Sequence, residues 1–279
     1  MALLGARVGA AALVLLVFVS FVMVGHSATP TRSSRLRLIR DLLARPERHR
    51  YGPSRSQRAD LYLPDGDGPH PVVVLLHGGY WRSRYGKSLM RGLAGDLARR
   101  GFAAWNVEYR RVGRHGGGWP MTFDDVAAAI DVLPEVGDGR LDLDAVDAVG
   151  HSAGGQLAIW AAARRDGVAI RRVVAQSAVL DMVRAGEPAH EFLGGGPHEV
   201  PERFAAADPM QLIPLGKPTL IVHGADDETV PLKRSRLYYE AARAAGDPVE
   251  LVEPSPGHHR VHIDPRSDAW RVVADWLTG

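Results

Sequence analysis

Apolar and polar residues alternate in blocks along most of the chain, and these blocks predict strands and helices in turn. Short aliphatic runs are typical of strands buried in a parallel sheet, whereas apolar residues spaced three or four positions apart predict amphipathic helices. The predicted strands are 59–64, 72–76, 102–107, 146–149, 172–176, 219–222 and 249–253. The predicted helices are 88–100, 121–133, 153–163, 232–245 and 267–277.

This alternation extends over residues 51–279 and predicts an α/β domain with a mostly parallel, doubly wound sheet and helices on both faces. The alternating segment 59–64 resembles an exposed edge strand, and Thr122 is the expected N-cap of its helix. Between the strands, residues 181–214 contain three consecutive glycines and several prolines. We interpret this stretch either as a small lid or as a long surface excursion.

The first 50 residues depart from this pattern. Residues 8–24 form a run of 17 residues without charge, which is long for a signal-peptide core and short for a spanning helix. The basic cluster that follows resists translocation. We therefore expect residues 1–28 to be an N-terminal membrane anchor. The alternatives are a secretory signal cleaved after Ser27 or Ala28, and a start codon assigned too early.

Residues 29–50 form a basic arm, in which arginines and leucines at 35–45 fit either an amphipathic helix on a membrane or a solvated linker helix. Residues 32–58 have a net charge of +7, which together with Arg7 leaves −6 for the chain from Ala59 onward, within a total of +2. A basic arm on an acidic body favours a membrane surface over nucleic acid as a partner. Nothing in the sequence indicates the oligomeric state.

The composition is that of an ordinary globular protein. With 279 residues, 46% hydrophobic and 24% charged, the chain can form one large domain with a substantial core. Its lack of cysteine excludes disulfides, thiol nucleophiles and thiolate metal sites, although it says nothing of the redox compartment.

A Gly-x-Ser-x-Gly pattern joins a predicted strand to a predicted helix at Gly150, Ser152 and Gly154. This is the pattern of a nucleophile elbow, a sharp turn that exposes the serine hydroxyl and needs small residues where the main chains crowd. A serine nucleophile also requires a base, a carboxylate that orients the base, and donors for the oxyanion.

The ends of three other predicted strands offer those groups, and the carboxyl ends of parallel strands are where such sheets place their chemistry. The strand 72–76 leads into His77-Gly78-Gly79-Tyr80-Trp81, whose backbone N–H groups at Gly79 and Tyr80 can join that of Ala153 as oxyanion donors. The strand 219–222 leads to the adjacent Asp226 and Asp227, and the strand 249–253 leads to the adjacent His258 and His259.

Together these motifs resemble those of the α/β-hydrolase superfamily, and within it the esterases and lipases that carry His-Gly-Gly. The form His77-Gly78-Gly79-Tyr80-Trp81 and the segment from Tyr51 to Pro64 look like the kynurenine formamidase (arylformamidase) branch and its esterase relatives. The resemblance covers residues 51–279. It implies an α/β-hydrolase fold and no metal or cofactor.

The resemblance also implies roles for individual residues. Ser152 is the nucleophile, Asp227 the acid with Asp226 as the second choice, and His259 the base with His258 as the second choice. Gly79, Tyr80 and Ala153 supply oxyanion donors, and Trp81 is expected to form an aromatic wall for the substrate.

Three functions remain open at this stage. We expect a carboxylesterase acting on a small-molecule ester through an acyl-enzyme. An arylformamidase-like amide hydrolase is the first alternative, and a non-catalytic, ligand-binding member of the fold is the second.

Overall fold

An eight-stranded sheet forms the central layer in the computed structural model, which describes residues 46–254 and 257–279. The strands are β1 (Glu47–Arg50), β2 (Arg58–Tyr62), β3 (His70–Leu76), β4 (Ala103–Glu108), β5 (Leu141–His151), β6 (Arg172–Gln176), β7 (Thr219–Val222) and β8 (Val249–Val252). Their order is β1-β2-β4-β3-β5-β6-β7-β8. The β1–β2 and β2–β4 pairs are antiparallel and the others are parallel, which confirms the predicted mostly parallel sheet.

Helices cover both faces of this sheet. They are α1 (Arg91–Arg99), α2 (Met121–Asp131), α3 (Leu133–Gly137), α4 (Ala153–Ala163), α5 (Glu187–Leu193), α6 (Pro201–Ala207), α7 (Leu232–Ala244) and α8 (Asp268–Thr278). Apolar residues of α2, α4 and α7 belong to the core on one face, and those of α1 and α8 belong to the core on the other. The sheet is therefore buried on both sides, as its aliphatic strands require.

The sheet starts earlier than the sequence pattern indicates. Strand β1 lies in the segment assigned to the basic arm, before the predicted domain start at Tyr51, and it pairs with β2. Because β1 covers β2, the prediction of an exposed edge strand at 59–64 is wrong. Asp60 is buried within β2 and forms an ion pair with Lys87, which explains how a polar residue is tolerated there.

The structure corrects the predicted N-cap at Thr122 and shows which elements the stretch 181–214 contains. Helix α2 begins after Pro120, and Thr122 lies inside the helix, where its hydroxyl donates to the Arg110 carbonyl, so it is not the N-cap. The stretch 181–214 is largely folded, because it contains α5, α6 and short 3₁₀ turns.

The predicted membrane anchor lies outside the described residues and stays a prediction, as does most of the basic arm. No helix among residues 46–254 and 257–279 has the length and apolar character needed to cross a bilayer.

The N-cap of α8 provides a test of how the last helix is held. The Ser267 hydroxyl accepts from the Trp270 backbone N–H at 3.0 Å, which satisfies a donor that would otherwise be unpaired at the helix start. We expect Ser267→Ala to lower the free energy of unfolding by about 1 kcal/mol in urea titrations. Ser267→Asp, which keeps an acceptor, should stay close to wild type, and equal losses in both variants would contradict the cap.

Candidate active site

The turn between β5 and α4 has the geometry of a nucleophile elbow. Ser152 has φ 55° and ψ −121°, a strained conformation for a non-glycine residue, and it caps the start of α4. A Cβ added to Gly150 would lie 2.1 Å from the Gly154 carbonyl oxygen, and one added to Gly154 would lie 2.1 Å from the Leu76 carbonyl oxygen. Only glycine fits at either position, so the motif is required by the close approach of β3, β5 and α4.

His259 and Asp227 form the imidazole–carboxylate pair of the site. The His259 Nδ1–H donates to Asp227 Oδ2 at 2.8 Å, and the Asp227 side chain is fully buried. This bond leaves Nε2 as the ring nitrogen that can take a proton. Of the two adjacent histidines it is therefore His259 that contacts the carboxylate, whereas His258 is exposed.

The Asp227 carboxylate is held in its ionised form by a dense set of donors. Its Oδ1 accepts from the backbone N–H groups of Thr229 and Val230, and His223 Nε2 lies 3.3 Å from Oδ2. Burial alone would raise the pKa of Asp227, but the two imidazoles and the backbone donors outweigh burial and hold this pKa far below its ordinary value.

Asp226 bonds to the backbone of the base loop, residues 257–264, and not to the His259 ring that Asp227 contacts. Its Oδ2 accepts from the Gly257 N–H at 2.9 Å, and its own N–H donates to the Gly257 carbonyl at 3.0 Å. Asp226 thus joins the acid loop, residues 223–231, to the base loop. Asp227 is therefore the carboxylate that bonds to the His259 ring, and Asp226 is the one that bonds to the backbone of Gly257.

The base loop also lies against the elbow. The His151 Nε2–H donates to the backbone carbonyl of His259 at 2.9 Å. The centroids of the His151 and His259 rings are 4.7 Å apart. His151 is buried, and burial lowers its pKa to about 3, so the ring is neutral near pH 7. The base loop therefore contacts the residue that directly precedes Ser152.

The loop after β3, residues 77–82, packs against Ser152. A Cβ added to Gly78 would lie 2.8 Å from the Ser152 Cβ, so this glycine allows the loop to approach Ser152 closely. Gly79, Tyr80 and Trp81 all have positive φ, of 116°, 56° and 54°. For the two aromatic residues this conformation costs about 1–3 kcal/mol each, and strain of this kind is concentrated at functional sites.

His77 anchors the start of this loop. Its ring stacks on Tyr109 with centroids 4.3 Å apart, and its Nε2 lies 3.0 Å from Glu108 Oε1. Glu108 in turn pairs with Arg111 at 2.8 Å. His77 is therefore a structural support for the strained loop and is fully occupied by neighbouring groups.

Trp81 lies in the core and is 1% exposed. Its ring stacks on Phe192 of α5 at 4.6 Å, and its Nε1–H donates to Gln156 of α4 at 3.1 Å. The exposed aromatic residue of the loop is instead Tyr80, at 43%. Direct contact between Trp81 and substrate stays a prediction, and the packing gives this residue a structural role that the sequence did not indicate.

The stretch 181–214 packs against this same loop. Besides the contact between Phe192 and Trp81, Arg82 forms an exposed ion pair with Glu191 at 2.6 Å. The Ala207 carbonyl accepts from Gln156 Nε2 at 2.9 Å. These contacts place α5 and α6 beside the loop 77–82, and opening of the stretch 181–214 as a lid remains a prediction.

Two side chains near the site, those of Gln156 and His262, have contacts that the sequence analysis did not predict. Gln156 joins Trp81 to Ala207, the last residue of α6, and His262 lies buried in the base loop, three residues after His259. Gln156 lies four residues after Ser152, one turn along α4, and this spacing is the signal by which it could have been found. The base loop contains three histidines, so its sequence does not single out His262. Within the described residues, no three His, Asp or Glu side chains converge as metal ligands.

Comparison with known proteins places the chain among esterases. No curated protein sequence matches the chain. Esterase Est2 from the Planctomycetes species Thermogutta terrifontis is 25% identical with a TM-score of 0.71, covering 84% of this chain and 92% of that chain. A truncated carbohydrate esterase from gut microbiota is 21% identical with a TM-score of 0.74, covering 84% and 96%.

A bifunctional GH43-CE protein from Bacteroides eggerthii is 24% identical with a TM-score of 0.72. The match covers 83% of this chain but only 38% of that protein. At these identities, the gut and Bacteroides proteins show the fold alone. The sequence itself matches a family model, BD-FAE, over residues 59–241, which is well over half of its length. The chain therefore belongs to the BD-FAE family of α/β-hydrolase-type esterases.

Proposed function

We propose that this protein is a serine hydrolase of carboxylic esters in which Ser152 is the nucleophile, His259 the general base and Asp227 the acid that orients the base. One arrangement carries the proposal. His259 bonds to Asp227 through its ring and to His151 through its carbonyl, so the base loop is held at the carboxylate and at the elbow together.

In the proposed reaction, His259 Nε2 takes the Ser152 proton as the serine oxygen attacks the ester carbonyl. Asp227 keeps the Nδ1 tautomer and stabilises the imidazolium that forms. His259 then returns the proton to the leaving alcohol, and an acyl-enzyme remains on Ser152. Water, activated by the same imidazole, releases the carboxylic acid and restores the serine.

The oxyanion formed during attack requires donors that are already in position. We assign this task to the backbone N–H groups of Gly79, Tyr80 and Ala153. The proposal is supported by the proximity of Gly78 to Ser152 and by the position of Ala153 at the start of α4, where backbone N–H groups are unpaired. The strained conformation of Tyr80 also fits a loop shaped for this role.

The relatives support this chemistry. Esterase 2 from Thermogutta terrifontis has been solved phosphoramylated by tabun and phosphonylated by sarin, at 25% identity to this chain. It has also been solved with propionate bound, at 26% identity. Organophosphates modify activated nucleophiles such as the serine of an acyl-transfer enzyme. We infer the same class of nucleophile, and short-chain acyl esters as first substrates to test.

Hydrolysis of N-formyl aryl amides is the second candidate. The observation that favours it is the exposed ring of Tyr80, which follows the His-Gly-Gly motif and offers an aromatic surface beside the proposed oxyanion donors. Comparing the hydrolysis of N-formylkynurenine with that of short-chain acyl esters would separate the two candidates.

The nucleophile is tested first by Ser152→Ala. We expect turnover of a p-nitrophenyl ester to fall by roughly a thousandfold or more, because the covalent route is removed while binding is kept. The release of p-nitrophenol measures the effect, and the thermal unfolding midpoint serves as the control for folding. Most of the activity surviving in a folded variant would contradict the proposal, and an inactive wild type would favour a non-catalytic role.

The adjacent aspartates form a matched pair of variants. Asp227→Asn should lower kcat by about a thousandfold or more, because the amide disturbs the His259 tautomer and no longer stabilises the imidazolium. Asp226→Asn keeps an oxygen that can accept from the Gly257 N–H, so we expect a loss below about tenfold. Steady-state kinetics on one ester tests both. A larger loss in Asp226→Asn than in Asp227→Asn would reverse the assignment.

Tyr80 is expected to influence which esters are preferred. Tyr80→Ala removes an exposed ring beside the proposed site, so kcat/KM for aryl esters should fall by roughly tenfold relative to acetate esters of small alcohols. Tyr80→Phe keeps the ring and is the control. Preference ratios that stay unchanged in Tyr80→Ala would show that the ring does not contact the substrate.

A further inference from the structure

The acid loop and the base loop are packed together without space between them. A Cβ added to Gly224 would lie 2.0 Å from the Gly257 carbonyl oxygen, and the Ala225 N–H donates to the Pro254 carbonyl at 3.1 Å. The relative position of Asp227 and His259 therefore depends on how the two backbones are fixed to each other and to the sheet.

His262 connects this loop pair to the centre of the sheet. Its side chain is fully buried in the 3₁₀ turn Val261–Ile263, and its Nε2 accepts from the Gly224 N–H at 3.2 Å. Its carbonyl accepts from Gln176 Nε2 at 3.1 Å. Gln176 is the last residue of β6, where it pairs with His151 on one side and Val222 on the other.

His262, three positions after His259, thus bonds to the acid loop through its side chain and to β6 through its backbone carbonyl. The strand on one side of β6 ends at His151, directly before Ser152, and the strand on the other side leads to Asp227. His262 therefore links the base loop both to the acid loop and to this intervening strand.

The contact with Gly224 requires a neutral imidazole, because Nε2 can accept a hydrogen bond only when it carries no proton. Burial lowers the pKa of His262 well below its ordinary value, and the neighbouring rings of His151, His223 and His259 lower it further, whereas Asp227 opposes them. The acceptor is therefore maintained at neutral pH.

We propose that His262 is a positioning residue that fixes the Asp227 loop and the His259 loop at the separation catalysis needs. The inference rests on the proposed function, because it gives His262 a task only if Asp227 and His259 act together. Catalysis is sensitive to such placement, since a displacement of about 1 Å can lower a rate by roughly a hundredfold.

The test compares His262→Leu with His262→Gln. Leucine leaves the buried Gly224 N–H without an acceptor, so we expect kcat on a short-chain ester to fall by roughly 10- to 100-fold while KM changes by less than about threefold. The Gln side-chain oxygen can occupy the place of Nε2, so His262→Gln should recover kcat to within about threefold of wild type.

The pH profile separates positioning from simple support of the fold. When the hydrogen bond between His259 and Asp227 loosens, the protonated form of this pair is stabilised less, so the acidic limb of kcat/KM should move to lower pH in His262→Leu. Val273→Ala removes a buried apolar group of α8 on the same face of the sheet. It should lower the unfolding midpoint and leave both kcat and the pH profile unchanged.

If His262→Leu does not fold, Gln176→Met removes the hydrogen bond to the His262 carbonyl and should give the same signature, a lower kcat with KM unchanged. The inference is overturned if the folded variant keeps kcat within twofold and its acidic limb stays in place. It is also overturned if Val273→Ala loses kcat to the same extent. A wild-type enzyme whose activity does not depend on Ser152 would overturn the proposed function itself, and this result is distinct from the other two.

Discussion

The hydrogen bond between His259 and Asp227 is the interaction on which the site depends. It joins loops that leave β7 and β8, and the buried carboxylate of Asp227 is stable there because it accepts from the His259 ring and from two backbone N–H groups. Once the carboxylate is fixed, the imidazole has one orientation, and the contact from His151 to the His259 carbonyl holds that orientation against the elbow. A parallel sheet makes this arrangement natural, because its strands all end at the same edge.

Close packing of the main chain is the second constraint. The elbow exists because Gly150 and Gly154 allow β5, α4 and the end of β3 to approach to distances that a side chain would forbid. The loop 77–82 depends on the same kind of close approach, since Gly78 lies against Ser152. The strain stored at Tyr80 and Trp81 is offset by the burial of Trp81 between α4 and α5. The helical stretch after β6 thus supports the loop that packs against Ser152.

The sequence predicts strands and helices correctly where the local pattern of apolar residues matches their position in the folded structure. The bounds of β6, β7 and α4 are as predicted, because aliphatic runs and a glycine-marked turn define them without ambiguity. Strand β1 could not be predicted, because its sequence Glu47–Arg50 is entirely polar and it is a strand only through its pairing with β2. The short helices α5 and α6 each carry a proline in the first turn, a signal too weak to use in a glycine-rich stretch. The burial of Trp81 and the links made by His262 depend on neighbours distant in sequence, so no local pattern could indicate them.

The central claim is that Ser152 is a nucleophile activated by His259. Its most direct test is to treat the protein with a fluorophosphonate probe and to locate the adduct by peptide mass spectrometry. The account predicts an adduct on the peptide that contains Ser152 in wild type, and its loss in a folded His259→Ala variant. An adduct on another residue, or ester hydrolysis that persists with Ser152 unmodified, would contradict it.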